Sequence, residues 1–290
     1  MNEDPDCKFF QTLAEQGHYQ GGREKSKQGT YICSADGTLL GSINSTNPND
    51  VLKLMKQGFE KFNTLAPENK NKFDQAKLKS TFRWETSFPR EGLVLAVYSR
   101  DLPETFEVAS NPTVKWNRDT AWFTRSEMLE PIPAAPKAGH TFSLPVTLVQ
   151  RLARFHFVDN VRGQTDPFEG AETNGSEIRC TVSKVTDDRI EFEIKGQIKA
   201  NSTSEKYNRT PRGVVTTLLG SATFLTTEER FEKFDMVAVG YRWGRTRFNG
   251  RKRGPNSNPV GFAVSLAPID ESPNVPGLIY AYDVDWIKRN

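Results

Sequence analysis

The stretch 177-EIRCTVSKVTDDRIEFEIKGQIKA-200 decides the fold of the larger part of this chain. Apolar residues occupy every second position on both sides of the pair Asp187-Asp188. In an extended strand successive side chains point to opposite faces, so the pattern predicts a β-hairpin with one buried face. The residues expected on that face are Ile178, Cys180, Val182, Val185, Ile190, Phe192, Ile194 and Ile198.

The pattern continues toward the C-terminus in further alternating runs at 213–225, 231–243, 261–267 and 278–284. An amphipathic helix is predicted before the hairpin, at 145–155. About six strands with hairpin-like spacing are typical of an antiparallel sandwich or a partly open barrel. We therefore predict an antiparallel β domain at 140–290.

The N-terminal part has a different pattern. A short helix is predicted at 7–16, and runs at 31–33 and 39–43 flank Asp36-Gly37, a strong hairpin signal. A helix follows, with Asn47 as its cap and Pro48 at its first position. Its apolar residues recur at the spacing of an amphipathic helix, at Val51, Met55, Phe59 and Phe62.

Residues 65–139 are predicted to form a linking region between these two parts. They contain a predicted polar helix at 67–79 and a buried strand at 92–100. The range 102–139 is rich in proline and is expected to be irregular, with PIPAAPKAG at 131–139 as the best linker candidate. The predicted organisation is thus 1–64, 65–139 and 140–290.

Composition excludes several classes of protein. With 39 Lys and Arg, 36 Asp and Glu, and 31 aromatic residues among 290, the chain has neither the charge imbalance of disorder nor the apolar content of an embedded membrane protein. The first ten residues lack the apolar segment of a signal peptide, so the chain as written is expected to be cytoplasmic and not associated with a membrane. If a segment precedes Met1, we expect export.

The three cysteines are Cys7, Cys33 and Cys180, an odd number without a CxxC motif. This excludes a disulfide framework and a zinc ribbon. Cys7 lies near a predicted helix N-terminus, which favours thiolate, but Asp6 beside it opposes that effect. We interpret all three as structural thiols. The three histidines are scattered and have no metal-ligand spacing, so no metal or other cofactor is predicted.

The densest polar cluster spans residues 154–166 and includes a second arginine, Arg154; its part 156–166 is termed here the 156–166 corner. Its candidate ligand-binding residues are His156, Asp159, Asn160, Arg162 and Asp166. A histidine, carboxylates and an arginine are the groups used for acid–base chemistry or for binding an anion. The alternative is a core histidine beside polar residues that satisfy an irregular loop.

A second candidate is the basic segment 242–253, which holds six Arg or Lys in 12 residues and no acid. Within it the 243–249 loop offers Trp243, Arg245 and Asn249 as candidate ligand contacts. Charge beside aromatic surface suits single-stranded nucleic acid. One loop in a chain of net charge +3 argues against that partner. The alternative is a solvated hairpin extension, or one that pairs with the acidic residues 283–285.

Parts of the sequence also resemble two known groups of proteins. The run TYICSADGTLLGSINSTNPNDVLKLMKQGFEKF, 30–62, resembles the closing β-β-α unit of thioredoxin-like proteins. That family carries its CxxC earlier, in a region with no counterpart here, and Gln28-Gly29-Thr30 replace its proline. The segments 151-RLARFHFVDNVRGQTDPF-168 and 238-AVGYRWGRTRFNG-250 are similar to a bacterial family with a thioredoxin-like front and a β-rich end. That family has no assigned activity, so the resemblance implies an architecture and no reaction.

The sequence therefore predicts an α+β protein, with a truncated thioredoxin-like β-β-α unit and a C-terminal antiparallel β-sandwich or partly open barrel. The expected function is a non-catalytic binding or accessory role toward a small molecule or a protein. Two alternatives stay open: the remainder of a thiol–disulfide oxidoreductase with its active-site segment upstream, or a hydrolase using the His156/Asp159 corner. The open edge of the truncated sheet is expected to be covered by the β domain or by a second copy, so a homo-oligomer also stays open.

Overall fold

The computed structural model describes residues 5–18, 27–70, 87–103, 115–203, 211–252, 257–268 and 275–282. The chain divides into two compact units, Met1–Arg83 and Trp84–Asn290. The division falls inside the range 65–139 that the sequence assigned to a linking region. No helix in the described ranges is long and apolar enough to span a membrane.

The smaller unit combines helices with a two-stranded antiparallel sheet. Its elements in chain order are α1 (Pro5–Gln16), β1 (Thr30–Cys33), β2 (Leu39–Ile43), α2 (Pro48–Thr64) and α3 (Pro67–Lys70). The predicted hairpin is confirmed: Gly37 takes a φ of +88° and the Asp36 carboxylate accepts the Thr38 amide at 3.2 Å. The predicted helix start is also confirmed, since Asn47 Oδ1 accepts the Asn49 amide at 3.0 Å.

The apolar stripe of α2 is not the buried face that its spacing suggested. Met55 and Phe59 are 55% and 65% exposed, whereas Gly58 is buried. A Cβ at position 58 would lie 2.9 Å from a methyl carbon of Ile32 on β1. Close approach of helix and hairpin therefore uses the glycine face. The predicted helix at 67–79 is seen only as α3, because 71–79 lie outside the described residues.

The larger unit is built on one eight-stranded antiparallel sheet with the order β4-β3-β10-β9-β8-β7-β6-β5. Its strands are β3 (Leu93–Asp101), β4 (Trp116–Phe123), β5 (Thr141–Ser143), β6 (Glu177–Val185), β7 (Arg189–Ser202), β8 (Arg212–Leu225), β9 (Arg230–Trp243) and β10 (Asn258–Leu266). The hairpin predicted at 177–200 is confirmed as β6 and β7, with Cys180 opposite Ile194. Its predicted inward residues are buried except Val185, which is 38% exposed and follows a register shift between Val182 and Lys184.

The core lies on one face of this sheet, beneath α5 (Val146–Arg151) and the π-helical turn Leu152–His156 that extends it. The predicted helix at 145–155 is therefore present, with a change of helical type at residue 152. Burial of apolar surface between this helix and the sheet is the main stabilising term of the unit. The apolar residues supplied from the helix side are Leu148, Val149, Leu152, Ala153, Phe155, Phe157 and Val158.

Several expectations for this unit were wrong. The described strands form a single sheet rather than a two-sheet sandwich, because the helix and the loop after it fill the core face. The range 102–139 contains β4 and α4 (Arg125–Leu129), with Thr124 and Glu127 forming a capping box at the start of α4. Residues 131–139 connect α4 to β5 inside the larger unit. The range 278–284 holds a 3-10 turn at Ile279–Ala281 instead of a strand, and 283–284 lie outside the described residues.

Candidate functional site

The 156–166 corner begins where the helix ends in a π-helical turn. The Phe157 amide donates to the Leu152 carbonyl at 2.9 Å, which adds one residue to the usual helical ring and widens the last turn. Phe157 then leaves helical geometry, with φ −88° and ψ 59°. As a result His156 and Phe157 are both fully buried, while the chain from Asn160 onward reaches the surface.

His156 is the centre of a buried chain of three side chains. Its Nδ1 lies 2.9 Å from Asp119 Oδ2, and its Nε2 lies 2.5 Å from the hydroxyl of Tyr282. The other carboxylate oxygen of Asp119 accepts the amides of Gly277 and Thr120 at 2.9 and 2.8 Å. This chain ties the π turn to β4 and to the segment 275–282.

Burial and hydrogen bonding act in opposite directions on these groups. Burial raises the pKa of Asp119, but the charge of His156 and hydrogen bonds from His156 and two amides outweigh it, so the net pKa is lowered. Burial raises the pKa of Tyr282. Both nitrogens of His156 have protein partners, which favours the interpretation as a core histidine.

A second network, termed here the Asp159–Arg251 cluster, comprises Asp101, Asp159, Arg162, Arg242 and Arg251, of which Arg162 alone is exposed. Arg251 is 7% exposed and reaches both acids, with Nη2 at 2.5 Å from Asp159 Oδ1 and 2.6 Å from Asp101 Oδ1. The Nε of Arg242 lies 3.7 Å from Asp159 Oδ2, and the Nε of Arg162 lies 2.7 Å from Asp101 Oδ2.

This cluster bears on the pairing of His156 with Asp159. Asp159 bonds to Arg251 and Asn249, whereas His156 bonds to Asp119 and Tyr282, so His156 and Asp159 do not form the pair that the hydrolase alternative invoked. Burial raises the pKa of Asp101, but hydrogen bonds from Arg251 and Arg162 outweigh it and lower the net value. Asp101 thus serves as an anion that holds Arg251 and Arg162.

The basic segment folds onto the corner instead of extending into solvent. Asn249 is 2% exposed; its Nδ2 donates to Asp159 Oδ2 at 3.2 Å and its Oδ1 accepts the Thr246 amide at 3.2 Å. Gly163 lies directly against the loop, where a Cβ would collide with the carbonyl oxygen of Phe248. The solvated-extension alternative is therefore wrong for 242–252. The acids that pair with the segment are Asp159 and Asp101; residues 253 and 283–285 lie outside the described residues.

A cleft of about 580 Å³ opens where the corner and the loop meet. Its polar lining residues are Asn117, Arg118, Asp119, Asn160, Gln164, Thr165, Asp166 and Thr246, and its apolar ones are Phe155, Val158, Phe248 and Leu278. The side chain of Phe248 is 60% exposed. The cleft thus offers amide, hydroxyl and charged groups close to one accessible aromatic ring.

The residues predicted as ligand contacts have different positions. Asn160 and Asp166 line the cleft, whereas His156, Asp159 and Asn249 are buried beneath its wall. Arg162 is exposed beside it. Trp243 and Arg245 are partly buried, and the indole ring of Trp243 lies against Gly213 of β8.

Sequence reasoning missed the contribution of β4. Asn117, Arg118 and Asp119 line the cleft from a strand that was expected to be irregular. A signal was present: the run from Trp116 to Phe123 contains no proline or glycine and ends in aromatic residues. The range was expected to be irregular because prolines at 112 and 131 lie on either side of this run.

Neither described thiol is among the residues that line the cleft. The structure has two described free thiols: Cys33 is exposed on β1, and Cys180 is buried in the sheet, where burial raises its pKa to about 12. The side chain of Cys7 lies outside the described residues, although its backbone belongs to α1. Within the described ranges, no group of three or more His, Cys, Asp or Glu could hold a metal ion.

Comparison of the chain with protein-family models, with curated proteins and with solved structures finds no match in any of the three.

Proposed function

We propose that this chain is a non-catalytic binding or accessory protein whose ligand occupies the cleft between the 156–166 corner and the 243–249 loop. The observation that carries the proposal is that two segments selected for their residue types meet at one concave site. Ligand sites of small molecules are concave, largely pre-formed and of about 300–1,000 Å³. The volume of this cleft, about 580 Å³, falls within that range.

The lining indicates the chemistry of the ligand. Gln164 presents an amide, which can both donate and accept, and Thr165 adds a hydroxyl. Asn160 also lines the cleft with an amide whose oxygen accepts from Ser99, whereas the Asn117 amide bonds to the Asn160 carbonyl and the Arg118 amide. The exposed ring of Phe248 offers a flat apolar surface. This combination suits a small polar molecule with several hydroxyl or amide groups and one apolar face, rather than a highly charged polymer.

The walls of the cleft are held rigidly, which favours binding. The corner is fixed from below by His156 between Asp119 and Tyr282, and the loop is fixed by Asn249 and Arg251 on Asp159. A site that is already ordered loses less conformational entropy when a ligand binds.

We further propose that the smaller unit is a degenerate thioredoxin-like unit with no redox role. The order α1-β1-β2-α2, with a tight hairpin and a capped helix, agrees with the closing portion of that fold. Its described thiol, Cys33, is on a strand rather than at a helix N-terminus, and burial followed by the charge of Asp36 raises its pKa. A raised pKa opposes a role as a nucleophile.

The binding proposal is tested by a thermal-shift screen of the full chain against carbohydrates, nucleosides and amino acids, followed by calorimetric titration of the hits. We expect at least one compound to bind, and Phe248→Ala and Gln164→Ala to weaken it about tenfold or more, which is about 1.4 kcal/mol. Phe59→Ala is the matched control, because Phe59 is as exposed as Phe248 but lies on α2. A screen without a binder, or binders indifferent to both cleft variants, would overturn the proposal.

A further inference from the structure

The face of the large sheet opposite the core carries an unusual set of side chains. Where an antiparallel sheet faces water, its outward positions are normally polar. Here most outward positions in the middle of β8 and β9 are apolar and exposed, and Thr217, between Val215 and Leu219, is the polar exception. With Trp116 at the end of β4 they form the outer apolar patch: Trp116, Val215, Leu219, Val237, Val239 and Tyr241.

Strand register makes this patch continuous. Leu219 lies opposite Val237, and Val215 lies opposite Tyr241. On the other side of β9, Val237 lies opposite Ala263 of β10, which in turn lies opposite Tyr98 of β3. A shallow depression of about 360 Å³ lies over β9, β10 and β3 and extends to Trp116 at the start of β4. The apolar surface therefore crosses five neighbouring strands, β8, β9, β10, β3 and β4.

The size of the patch is at the upper end of what a monomer usually leaves in water. Its six members are between 39% and 63% exposed, which corresponds to apolar surface on the order of 600 Å², the upper end for the largest patch of an ordinary monomer. Two such patches placed face to face would bury about 1,200 Å², the size at which specific interfaces begin. The area is thus sufficient for a second copy of the same surface.

Charges beside the patch favour one relative orientation of two copies. The successive outward positions of β7 are Glu193, Lys195, Gln197 and Lys199, opposite Ser221, Leu219, Thr217 and Val215 of β8. If the two sheets face each other across a two-fold axis perpendicular to the strands, Glu193 of one copy meets Lys199 of the other. If the axis instead runs parallel to the strands, Lys195 and Lys199 of one copy lie against the β3–β4 side of the other copy's sheet. That side carries Arg100 and Arg118, so positive charges would face positive charges.

We propose that the outer apolar patch joins two copies of this chain into a two-fold dimer, with the strands of the two sheets antiparallel across the interface. The inference is independent of the ligand cleft, which lies at the corner and loop.

The test is the mass of the full chain in solution, measured by sedimentation equilibrium up to about 100 µM, a range that detects micromolar dimers. We expect twice the chain mass of 32.7 kDa. Val239→Glu, which places two carboxylates near the axis, should raise the dissociation constant at least about 100-fold, since a buried unpaired charge is costly. Val146→Glu is the control, because Val146 is 69% exposed on α5, away from the patch.

A charge exchange tests the orientation separately. Lys199→Glu alone should weaken the dimer about tenfold by placing it against Glu193, and the double variant Glu193→Lys/Lys199→Glu should restore affinity to within about threefold. A monomeric wild type, including one that binds anionic vesicles through Val239, would overturn the proposal. Dimerisation unaffected by Val239→Glu would also overturn it, and failure of the double variant to restore affinity would overturn the orientation.

Discussion

Replacement of Arg251 by methionine is the perturbation that best tests how the corner and the loop are held together. The Arg251 side chain is 2% exposed and donates to Asp159 from Nε and Nη2 and to Asp101 from Nη1 and Nη2. Methionine keeps much of the apolar stem but removes every one of these hydrogen bonds.

The expected loss follows from what remains behind. Asp159 would keep Asn249 and a more distant Arg242 at 3.7 Å, while Asp101 would keep Arg162. Removal of one partner from a buried ion pair typically costs about 3–5 kcal/mol, because the other charge stays buried. At an m-value of about 2 kcal/mol per molar urea, the unfolding midpoint should fall by about 2 M.

Urea unfolding followed by tryptophan fluorescence measures this loss in the right part of the molecule. The five tryptophans, at 84, 116, 122, 243 and 286, all belong to the larger unit, so the signal reports that unit. Arg230→Met is the matched control, because Arg230 pairs with Glu228 at 2.6 Å but both side chains are about half exposed. Exposed pairs contribute about 0–1 kcal/mol.

The outcome that refutes this reasoning is an Arg251→Met midpoint equal to that of Arg230→Met. A double-mutant cycle with Asp159→Asn adds a second check, because residues in one buried network should couple by about 0.5–3 kcal/mol. Additive single effects would show that the two side chains do not act together.

Three further predictions follow from the structure. Because the pKa of Asp119 is lowered in the folded state, its carboxylate stabilises the fold at pH values above the unfolded pKa of about 3.9. This stabilisation is lost as the pH falls through the folded pKa of Asp119. Asp119→Asn should therefore lose less free energy of unfolding than wild type between pH 7 and pH 3, as measured by urea titrations. Iodoacetamide at pH 8 should alkylate Cys33 but spare Cys180 until urea unfolds the protein, which peptide mass spectrometry would reveal. Gly163→Ala should lower the melting temperature by several degrees, whereas Gly170→Ala, with space for a Cβ, should leave it unchanged in calorimetry.

The hairpins were predictable because their signals are local. Alternation around Asp187-Asp188 and the turn at Asp36-Gly37 fix both the period and the turn conformation within a few residues. The sandwich expectation failed for a long-range reason. A period of two shows which face of a strand is buried but not whether a helix or a second sheet covers it, and here α5 and the π turn do so.

The candidate site shows the same division between local and long-range information. Residue types identified the corner and the loop, but the contacts between them join positions about ninety residues apart, as between Asp159 and Asn249. The partner of His156 could not be found from its neighbours, since Asp119 and Tyr282 come from distant segments. Pairings of this kind depend on strand order, which the sequence pattern alone did not determine.

The most direct test of the proposed ligand cleft is a crystal structure of the full chain after soaking with a library of small polar fragments, including sugars, nucleosides and amino acids. The account predicts fragments in the cleft, hydrogen-bonded to Asn160 or Gln164 and lying against the ring of Phe248. Fragments bound at other surfaces of the molecule while this cleft stays empty would contradict it.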